Sequence, residues 1–224
     1  MAWGSNDPEV IILGFSKGPT QAGALASTPH DEIAYKGSRT NVGKILRHVG
    51  LLPRCDDEDL GQTVSRLIAQ STGRLHFGSL IRCTVEQNNG GAWKGSGGGM
   101  LDKFAATAFG KEVTLNCISR FLGTLPSRTK LIVMFGMGSK LNYVHASFEL
   151  FKKARGGDWK MLNEVAYTDG IITVVHVEHF ASQGPLIPQW LGEKNHIRSQ
   201  YGIMAAEAVE YSHRGLTGHS AWLL

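Results

Sequence analysis

The sequence predicts an α/β fold of three layers, in which helices cover both faces of a mostly parallel, four-stranded central sheet. Short and almost wholly apolar runs, which are typical of buried parallel strands, recur along the chain. Segments with the apolar period of a helix separate these runs, as they do in strand–helix–strand units. No stretch rich in Pro, Ser or charge divides the 224 residues, so one domain over residues 1–224 is expected.

The first predicted strand and its exit turn lie in Val10–Thr20, VIILGFSKGPT. Four apolar residues precede a turn that contains Gly14, Gly18 and Pro19, and this pattern indicates a central parallel strand. The other predicted central strands are His76–Val85, Leu131–Gly136 and Ile171–Val177. Val165–Val177 is predicted to hold strands on both sides of a hairpin-type turn at Asp169-Gly170. Ligands of open α/β sheets bind beyond the carboxyl ends of the strands, so the first turn is where chemistry is expected.

Apolar residues at helical spacing predict the helices. These are Asn41–Leu52, which Pro53 is expected to end, Asp59–Ser71, Met100–Phe109, Lys111–Leu125, a helix from a cap at Ser139 to about Lys153, and about Asn195–Ser212. Two segments are predicted to be irregular. Gln21–Arg39 is a long polar connection, and half of Asn88–Gly99 is glycine, which indicates a mobile loop.

Composition narrows the class of protein. The net charge of +4 and the pI near 9.0 suit a polyanionic partner such as nucleic acid. No run of 18 apolar residues is present and the start lacks the pattern of a signal peptide, so neither a membrane partner nor export is expected. Cys55, Cys83 and Cys117 are widely spaced and odd in number, which argues against disulfides or a zinc site and favours an intracellular, cytoplasmic protein.

Some motif matches fail on spacing. Gly37–Lys44, GSRTNVGK, has one residue too many for a Walker A loop, and Ile45 stands where Ser or Thr must bind magnesium.

His176 and His179 form an HxxH pair without a further ligand at the usual spacing, so no metal is expected. Gly14–Gly18, GFSKG, matches the nucleophile elbow of hydrolases, with Ser16, Asp169 and His179 in the matching order, although too few strands precede it.

His179 follows the apolar run IITVVHV, at the predicted carboxyl end of a strand. This is the same edge of the sheet as Ser16–Pro19, so the two loops are expected to converge on one cleft. A histidine in that position is suited to donate a hydrogen bond to a leaving oxygen.

The chain resembles the uracil-DNA glycosylase superfamily at five places, in the same order along the chain. Gly14–Pro19 (GFSKGP) resembles G-x-N-P-G-P, and Tyr35–Leu46 resembles the segment in which an aromatic residue stacks on the base. Gly78–Cys83 resembles the T-N-x-x-K-C strand, and Asn116–Gly136 resembles the helix and strand of the iron–sulfur branch. His179–Ser182 (HFAS) stands where the family has H-P-S.

The resemblance implies a single uracil-DNA glycosylase-like domain and assigns a role to each matching residue. His179 would stabilise the negative charge on the leaving uracil, and Ser16 stands where the family positions the attacking water. Tyr35 would stack on the flipped base. The implied base pocket is Gly14, Phe15, Lys17, Gly18, Tyr35 and Ser79, and the implied DNA contacts are Ser38, Arg39, Ser182, Gln183, and Leu186 or Ile187 as an apolar wedge.

The chain also departs from the family pattern. Ser16 replaces the residue that positions water, Ser79 replaces the Asn that reads uracil, and Phe180-Ala181 replaces the Pro of H-P-S. Cys83 and Cys117 lie near two cluster-ligand positions but the N-terminal C-x-x-C is missing, so no iron–sulfur cluster or other cofactor is expected.

The sequence does not identify the group that activates the attacking water. Ser16, Gln21 and the Asp31-Glu32 loop are candidates, whereas strand alternation is expected to turn Glu178 away from His179.

The expected activity is therefore that of a monomeric, monofunctional DNA glycosylase of base excision repair. It would hydrolyse the N-glycosidic bond of uracil in DNA after base flipping, and the altered reader residue extends the expectation to hypoxanthine or xanthine. The alternative is a non-catalytic protein that binds uracil-containing or damaged DNA and keeps the pocket without the usual base. A serine hydrolase that uses Ser16 is a third, more distant expectation.

Overall fold

A computed structural model describes residues 2–95, 98–138 and 141–214. The strands are β1 (Trp3–Gly4), β2 (Val10–Lys17), β3 (Leu75–Thr84), β4 (Glu86–Asn89), β5 (Ala92–Gly95), β6 (Leu131–Phe135), β7 (Lys160–Asn163), β8 (Ala166–Thr168) and β9 (Thr173–Val177). The helices are α1 (Pro19–Gly23), α2 (His30–Ile33), α3 (Arg39–His48), α4 (Asp57–Ala69), α5 (Gly98–Ala106), α6 (Ala108–Leu122), α7 (Tyr143–Arg155), α8 (Leu186–Trp190) and α9 (Ser199–Arg214).

The central sheet has the order β1-β3-β2-β6-β9-β8-β7. Its four inner strands, β3, β2, β6 and β9, are parallel, as the apolar runs predict. Three short strands pair antiparallel at the edges and extend the sheet to seven strands within the described residues. The sequence predicted β8, as the strand before the turn at Asp169-Gly170, but not β1 or β7, because segments of two to four residues are too short to show an alternating pattern.

Helices cover both faces of the sheet, which confirms the three-layer α/β/α fold. Helices α3, α4 and α9 enclose one apolar cluster, which we call the first core, and α5, α6 and α7 enclose the second core. Strand β2 contributes to both because its side chains alternate between the faces: Val10 and Ile12 lie in the first core, whereas Ile11, Leu13 and Phe15 lie in the second.

Some helix boundaries differ from those predicted from the sequence. Helix α3 ends at His48 and not at Pro53, because Gly50 takes a left-handed conformation with φ of 78° and turns the chain. Helix α7 begins at Tyr143, where the side chain of Asn142 accepts a hydrogen bond from the backbone N–H of His145. The predicted cap, Ser139, lies outside the described residues.

Two segments that were expected to be irregular carry regular structure. Gln21–Arg39 contains part of α1, a 3₁₀ turn at Ala24–Ala26, and α2. The glycine-rich segment begins within a β-hairpin, because β4 and β5 pair antiparallel across Gly90 and Gly91. The expectation of an irregular loop was therefore wrong for residues 88–95, where the two glycines provide the backbone conformation of a tight turn.

Candidate active site

The order of the parallel strands locates a crevice at the carboxyl edge of the sheet. From β2 the chain passes to β3 on one side and then crosses to β6 on the other, so the strand order reverses between β2 and β6. Ligands of doubly wound sheets bind at such a reversal, outside the carboxyl ends of the strands. The crevice is therefore expected between the segments that follow Lys17 and Phe135.

His179 and Tyr143 flank Gly136, the first residue after β6. A methyl group placed on Gly136 would lie 3.7 Å from Cδ2 of His179 and 3.9 Å from Cδ2 of Tyr143. The φ of 100° at Gly136 is a conformation that residues with a side chain rarely adopt. The loop after β9 therefore brings His179 to the end of β6, next to β2, as the parallel sheet predicts.

The hydrogen bonds of His179 define which ring nitrogen carries the proton. Nδ1 accepts a hydrogen bond from the backbone N–H of Ala181 at 3.1 Å, so in the neutral ring the proton lies on Nε2. Burial is the main cause that lowers the pKa of His179, while the charge of Glu178 acts in the opposite direction. The imidazole also stacks on Phe180, with ring centroids 4.4 Å apart. At neutral pH His179 is thus a neutral donor through Nε2.

Glu178 holds the loop that carries His179. Its carboxylate accepts hydrogen bonds from the backbone N–H of His179 at 3.0 Å and from the hydroxyl of Ser182 at 2.8 Å. Its second oxygen contacts Nε of Arg198 at 2.7 Å, and Glu178 itself is only 3% exposed. We call Glu178, Ser182 and Arg198 the carboxylate clamp. Sequence patterns do not predict the clamp, because Arg198 lies 20 residues from Glu178 in the chain.

The first-core side of the crevice is aromatic. Tyr35 meets Phe77, Phe135 and Phe180 edge to face, with centroids 4.9 to 6.0 Å apart. It is 6% exposed, and burial raises the pKa of its hydroxyl. Its φ of 53° is the one left-handed non-glycine backbone in the described ranges, and such strain is concentrated at functional sites. Tyr35 thus forms part of the wall, and stacking on a base stays a prediction.

Helix α3 connects this wall to the histidine loop. The side-chain amide of Asn41 donates to the backbone oxygen of Phe180 at 3.0 Å. Ser38 is half-buried at the start of α3, and its N–H donates to the backbone oxygen of Tyr35. The guanidinium of Arg39 donates to the backbone oxygen of Ala34 and to the hydroxyl of Ser65. Arg39 therefore connects loop and helix, and a DNA contact from it stays a prediction.

The residues predicted for the base pocket at the end of β2 are divided between the two faces of the sheet. Gly14 pairs with Ser79 of β3, and Ser16 is half-buried before a bulge that separates it from Lys17. Phe15 points into the second core and stacks on Tyr143, with ring centroids 4.6 Å apart. The cause is the two-residue period of a strand, which a motif of consecutive letters conceals.

Lys17 and Gly18 end β2 and begin the turn. Lys17 is buried, and burial is the largest cause that lowers the pKa of its ammonium, with the charge of Arg82 acting in the same direction. Gly18 is half-buried and precedes Pro19, the first residue of α1. The end of β2 therefore carries a buried ammonium group close to Arg82 of β3.

The predicted wedge loop passes directly into a helix. Gln183 is exposed, whereas α8 begins at Leu186 and turns Ile187 inward, where it is 5% exposed. A buried side chain cannot enter a base stack without leaving the core, so Leu186, which is half-buried, is the better placed of the two.

His176 belongs to a buried network. It is 0% exposed, its Nδ1 lies 2.9 Å from the backbone oxygen of Gly136, and its Nε2 lies 3.0 Å from Oγ of Ser147. The hydroxyl of Tyr167 donates to Ser147 at 2.9 Å. A carbonyl oxygen only accepts, so Nδ1 of His176 is the donor and Nε2 is the acceptor. Both nitrogens are occupied, so the HxxH pair is no metal site, and the network fixes Gly136.

The triad expected for a serine hydrolase does not form. The carboxylate of Asp169 accepts hydrogen bonds from the backbone of Ile171 and Ile172 in the turn before β9. His179 follows the other end of that five-residue strand, roughly 16 Å away at about 3.3 Å per residue. The carboxylate therefore cannot orient the imidazole.

A cavity of about 400 Å³ lies on the second-core side, between α6, α7 and the ends of β2 and β3. Apolar side chains such as Phe15, Leu80 and Leu150 line it, together with His145 and Ser147. His179 is not among the residues that line this cavity.

Comparison of the chain with protein-family models gave no match, and comparison with curated proteins gave none either. Among residues 2–95, 98–138 and 141–214, no helix is long and apolar enough to cross a lipid bilayer. The same residues contain no group of three or more His, Cys, Asp or Glu side chains that could hold a metal ion. Cys55, Cys83 and Cys117 are free thiols.

Proposed function

We propose that the chain is a monofunctional DNA glycosylase that releases uracil from DNA. The observation that carries the proposal is the neutral imidazole of His179, with its proton on Nε2, beside Gly136 at the strand-order reversal. The ordered resemblance of five segments to the uracil-DNA glycosylase superfamily supports the same activity.

The proposed reaction breaks the bond between C1′ of the sugar and N1 of uracil. The bonding electrons leave with the base, which becomes an anion. Water then adds to C1′ of the cation-like sugar and loses one proton, and uptake of one proton returns the released base to its neutral form. Nε2–H of His179 donates to the uracil oxygen on which negative charge grows. One well-oriented donor of this kind is worth about 2.7–4 kcal/mol in other enzymes. The base must first leave the helix, because the glycosidic bond is shielded inside the duplex.

The proposed reaction does not depend on a strong general base. Glu178 is buried and bonded to Arg198, so it serves as a positioning residue for the loop and does not activate water. Ser16 can orient a water molecule at the end of β2, but a serine cannot remove its proton unaided. A dissociative route suits this arrangement, because most of the charge in it develops on the leaving base.

Ser79 bears on which bases the proposed enzyme releases. A hydroxyl at this position of β3 cannot present the paired donor and acceptor of an amide, so weaker discrimination among deaminated bases is expected. Product analysis with oligonucleotides that carry uracil, hypoxanthine or xanthine at one position measures this range.

Replacement of His179 tests the proposal. We expect His179→Ala to lower the single-turnover rate of uracil release at least about tenfold, or roughly 1.4 kcal/mol of barrier. His213→Ala is the matched control, because burial also lowers the pKa of His213 and it lies far from the crevice, near Glu9 and Arg74. An unchanged rate in His179→Ala would contradict the proposal.

A non-catalytic protein that binds uracil-containing or damaged DNA is the second candidate. The burial of Glu178 in the clamp favours it, because this removes the carboxylate closest in sequence to His179 from catalysis. The single-turnover experiment separates the candidates. Retention of a uracil-containing oligonucleotide without any abasic product supports the binding protein and excludes the enzyme.

A further inference from the structure

The hairpin of β4 and β5 projects from the same edge of the sheet as the crevice. It begins at Glu86, two residues after β3 ends at its carboxyl end. Gly90 and Gly91 form its two-residue turn, with φ of 62° and 88°, and both left-handed values are those a type I′ turn requires. The side chain of Asn88 accepts a hydrogen bond from the N–H of Gly91 at 2.9 Å, which closes the turn.

One face of the hairpin is turned toward Pro19, the first residue of α1. A methyl group placed on Gly95 would lie 1.9 Å from Cγ of Pro19, so the backbone of Gly95 packs directly against that ring. Side chains of a strand alternate, and Trp93 lies two residues before Gly95 in β5, so it projects from the same face. Two residues span roughly 7 Å, so Trp93 lies about that far along the strand from the contact of Gly95 with Pro19, which follows β2 at the same edge of the sheet.

Trp93 is 67% exposed, although an indole ring is among the most favourable side chains to bury. Trp and Tyr are enriched at interfaces, because their rings combine a large apolar area with a polar group. A flipped nucleotide leaves its neighbours partly unstacked, and an aromatic face stacks on any such base. The chain also carries a net charge of +4, which favours a nucleic acid strand.

We propose that the hairpin is a stacking platform, on which Trp93 receives an unpaired base of the DNA strand that occupies the crevice. The proposal rests on the proposed action on DNA, and it adds a contact that the family resemblance does not assign. Gly95 is part of this platform, because its lack of a side chain allows the hairpin to pack against Pro19.

Binding of a fluorescein-labelled single-stranded oligonucleotide without uracil, measured by fluorescence anisotropy with the full chain, tests this contact. We expect Trp93→Ala to raise the Kd about tenfold, since loss of one base–aromatic stack corresponds to a factor of roughly 5 to 150. Trp93→Phe should retain most of the affinity. Tyr211→Ala is the matched control, because this exposed aromatic lies in the last turn of α9, two residues before His213, which is near Glu9 and Arg74 at the amino ends of β2 and β3.

A second variant tests the geometry of the platform. Gly95→Ala adds the methyl group that collides with Pro19, so it should displace the hairpin and weaken binding although Trp93 is intact. A Kd within twofold of the wild type in Trp93→Ala would overturn the proposal, as would an equal loss in Tyr211→Ala.

The binding assay does not depend on catalysis, so the two proposals fail separately. Weaker binding in Trp93→Ala without any uracil release by the wild type would retain the platform and remove the glycosylase. Uracil release by the wild type with unchanged binding in Trp93→Ala would remove only the platform.

Discussion

Glu178→Gln is the substitution that tests the carboxylate clamp most directly. Glutamine has nearly the same shape, so the packing around residue 178 is kept. Its amide oxygen can still accept from the backbone N–H of His179 or the hydroxyl of Ser182. Its NH₂ group then faces Nε of Arg198, where two donors meet and a partly buried cation loses its counter-charge.

The size of the effect follows from these contacts. A hydrogen bond to a charged group contributes about 1.5–3 kcal/mol, and a buried pair that loses one partner costs about 3–5 kcal/mol. The side chain of Arg198 is 28% exposed and can recover part of its hydration. We therefore expect Glu178→Gln to lower the free energy of unfolding by about 2 kcal/mol, the lower part of this range.

Urea unfolding followed by tryptophan fluorescence measures this difference. Glu210→Gln is the control, because the Glu210–Arg214 pair is largely exposed and its loss should leave the free energy of unfolding nearly unchanged. Since the clamp also holds the backbone of His179, uracil release should slow in Glu178→Gln and stay unchanged in Glu210→Gln. A loss of stability below about 0.5 kcal/mol in Glu178→Gln would refute the clamp as a stabilising contact.

Two further predictions concern the core. Burial lowers the pKa of His176 to about 4, whereas the unfolded chain binds this proton below about pH 6.5, so stability should fall from pH 6.5 to about pH 4. The free energy of unfolding, measured with urea, should fall by about 2 kcal/mol between pH 7 and pH 5. His176→Asn should remove this part of the pH dependence. An equal fall in stability in the variant would show that His176 is not its source. Ile187→Ala should lower the free energy of unfolding by about 2–4 kcal/mol in the same assay, because Ile187 is buried. Leu186 is only half-buried, so Leu186→Ala should lower it clearly less. Equal losses in the two variants would contradict this prediction.

Much of the fold could be predicted because its signals are local. The apolar runs at Val10–Leu13 and Leu131–Phe135 are both central parallel strands. The helical period at Leu60, Val64 and Ile68 gives the buried face of α4. The boundaries were less accurate, because a turn such as that at Gly50 depends on backbone conformation more than on apolar spacing.

The candidate site was predictable only in part. The convergence of the loops after β2 and β9 follows from the parallel sheet, and His179 lies where that argument expects it. The contacts that orient His179 were not predictable, since Arg198 and Asn41 reach the loop from distant elements of the chain.

Periodicity and turn chemistry in the sequence determined the α/β class, the four parallel strands and the edge at which the candidate site lies. Tertiary packing alone shows that Glu178 is bonded to Arg198, that both ring nitrogens of His176 are hydrogen-bonded in the core and that Trp93 is exposed. The physical reason is the range of the interactions. Strand and helix patterns arise from residues within a few positions of each other, whereas side-chain partners and burial depend on which distant segments pack together.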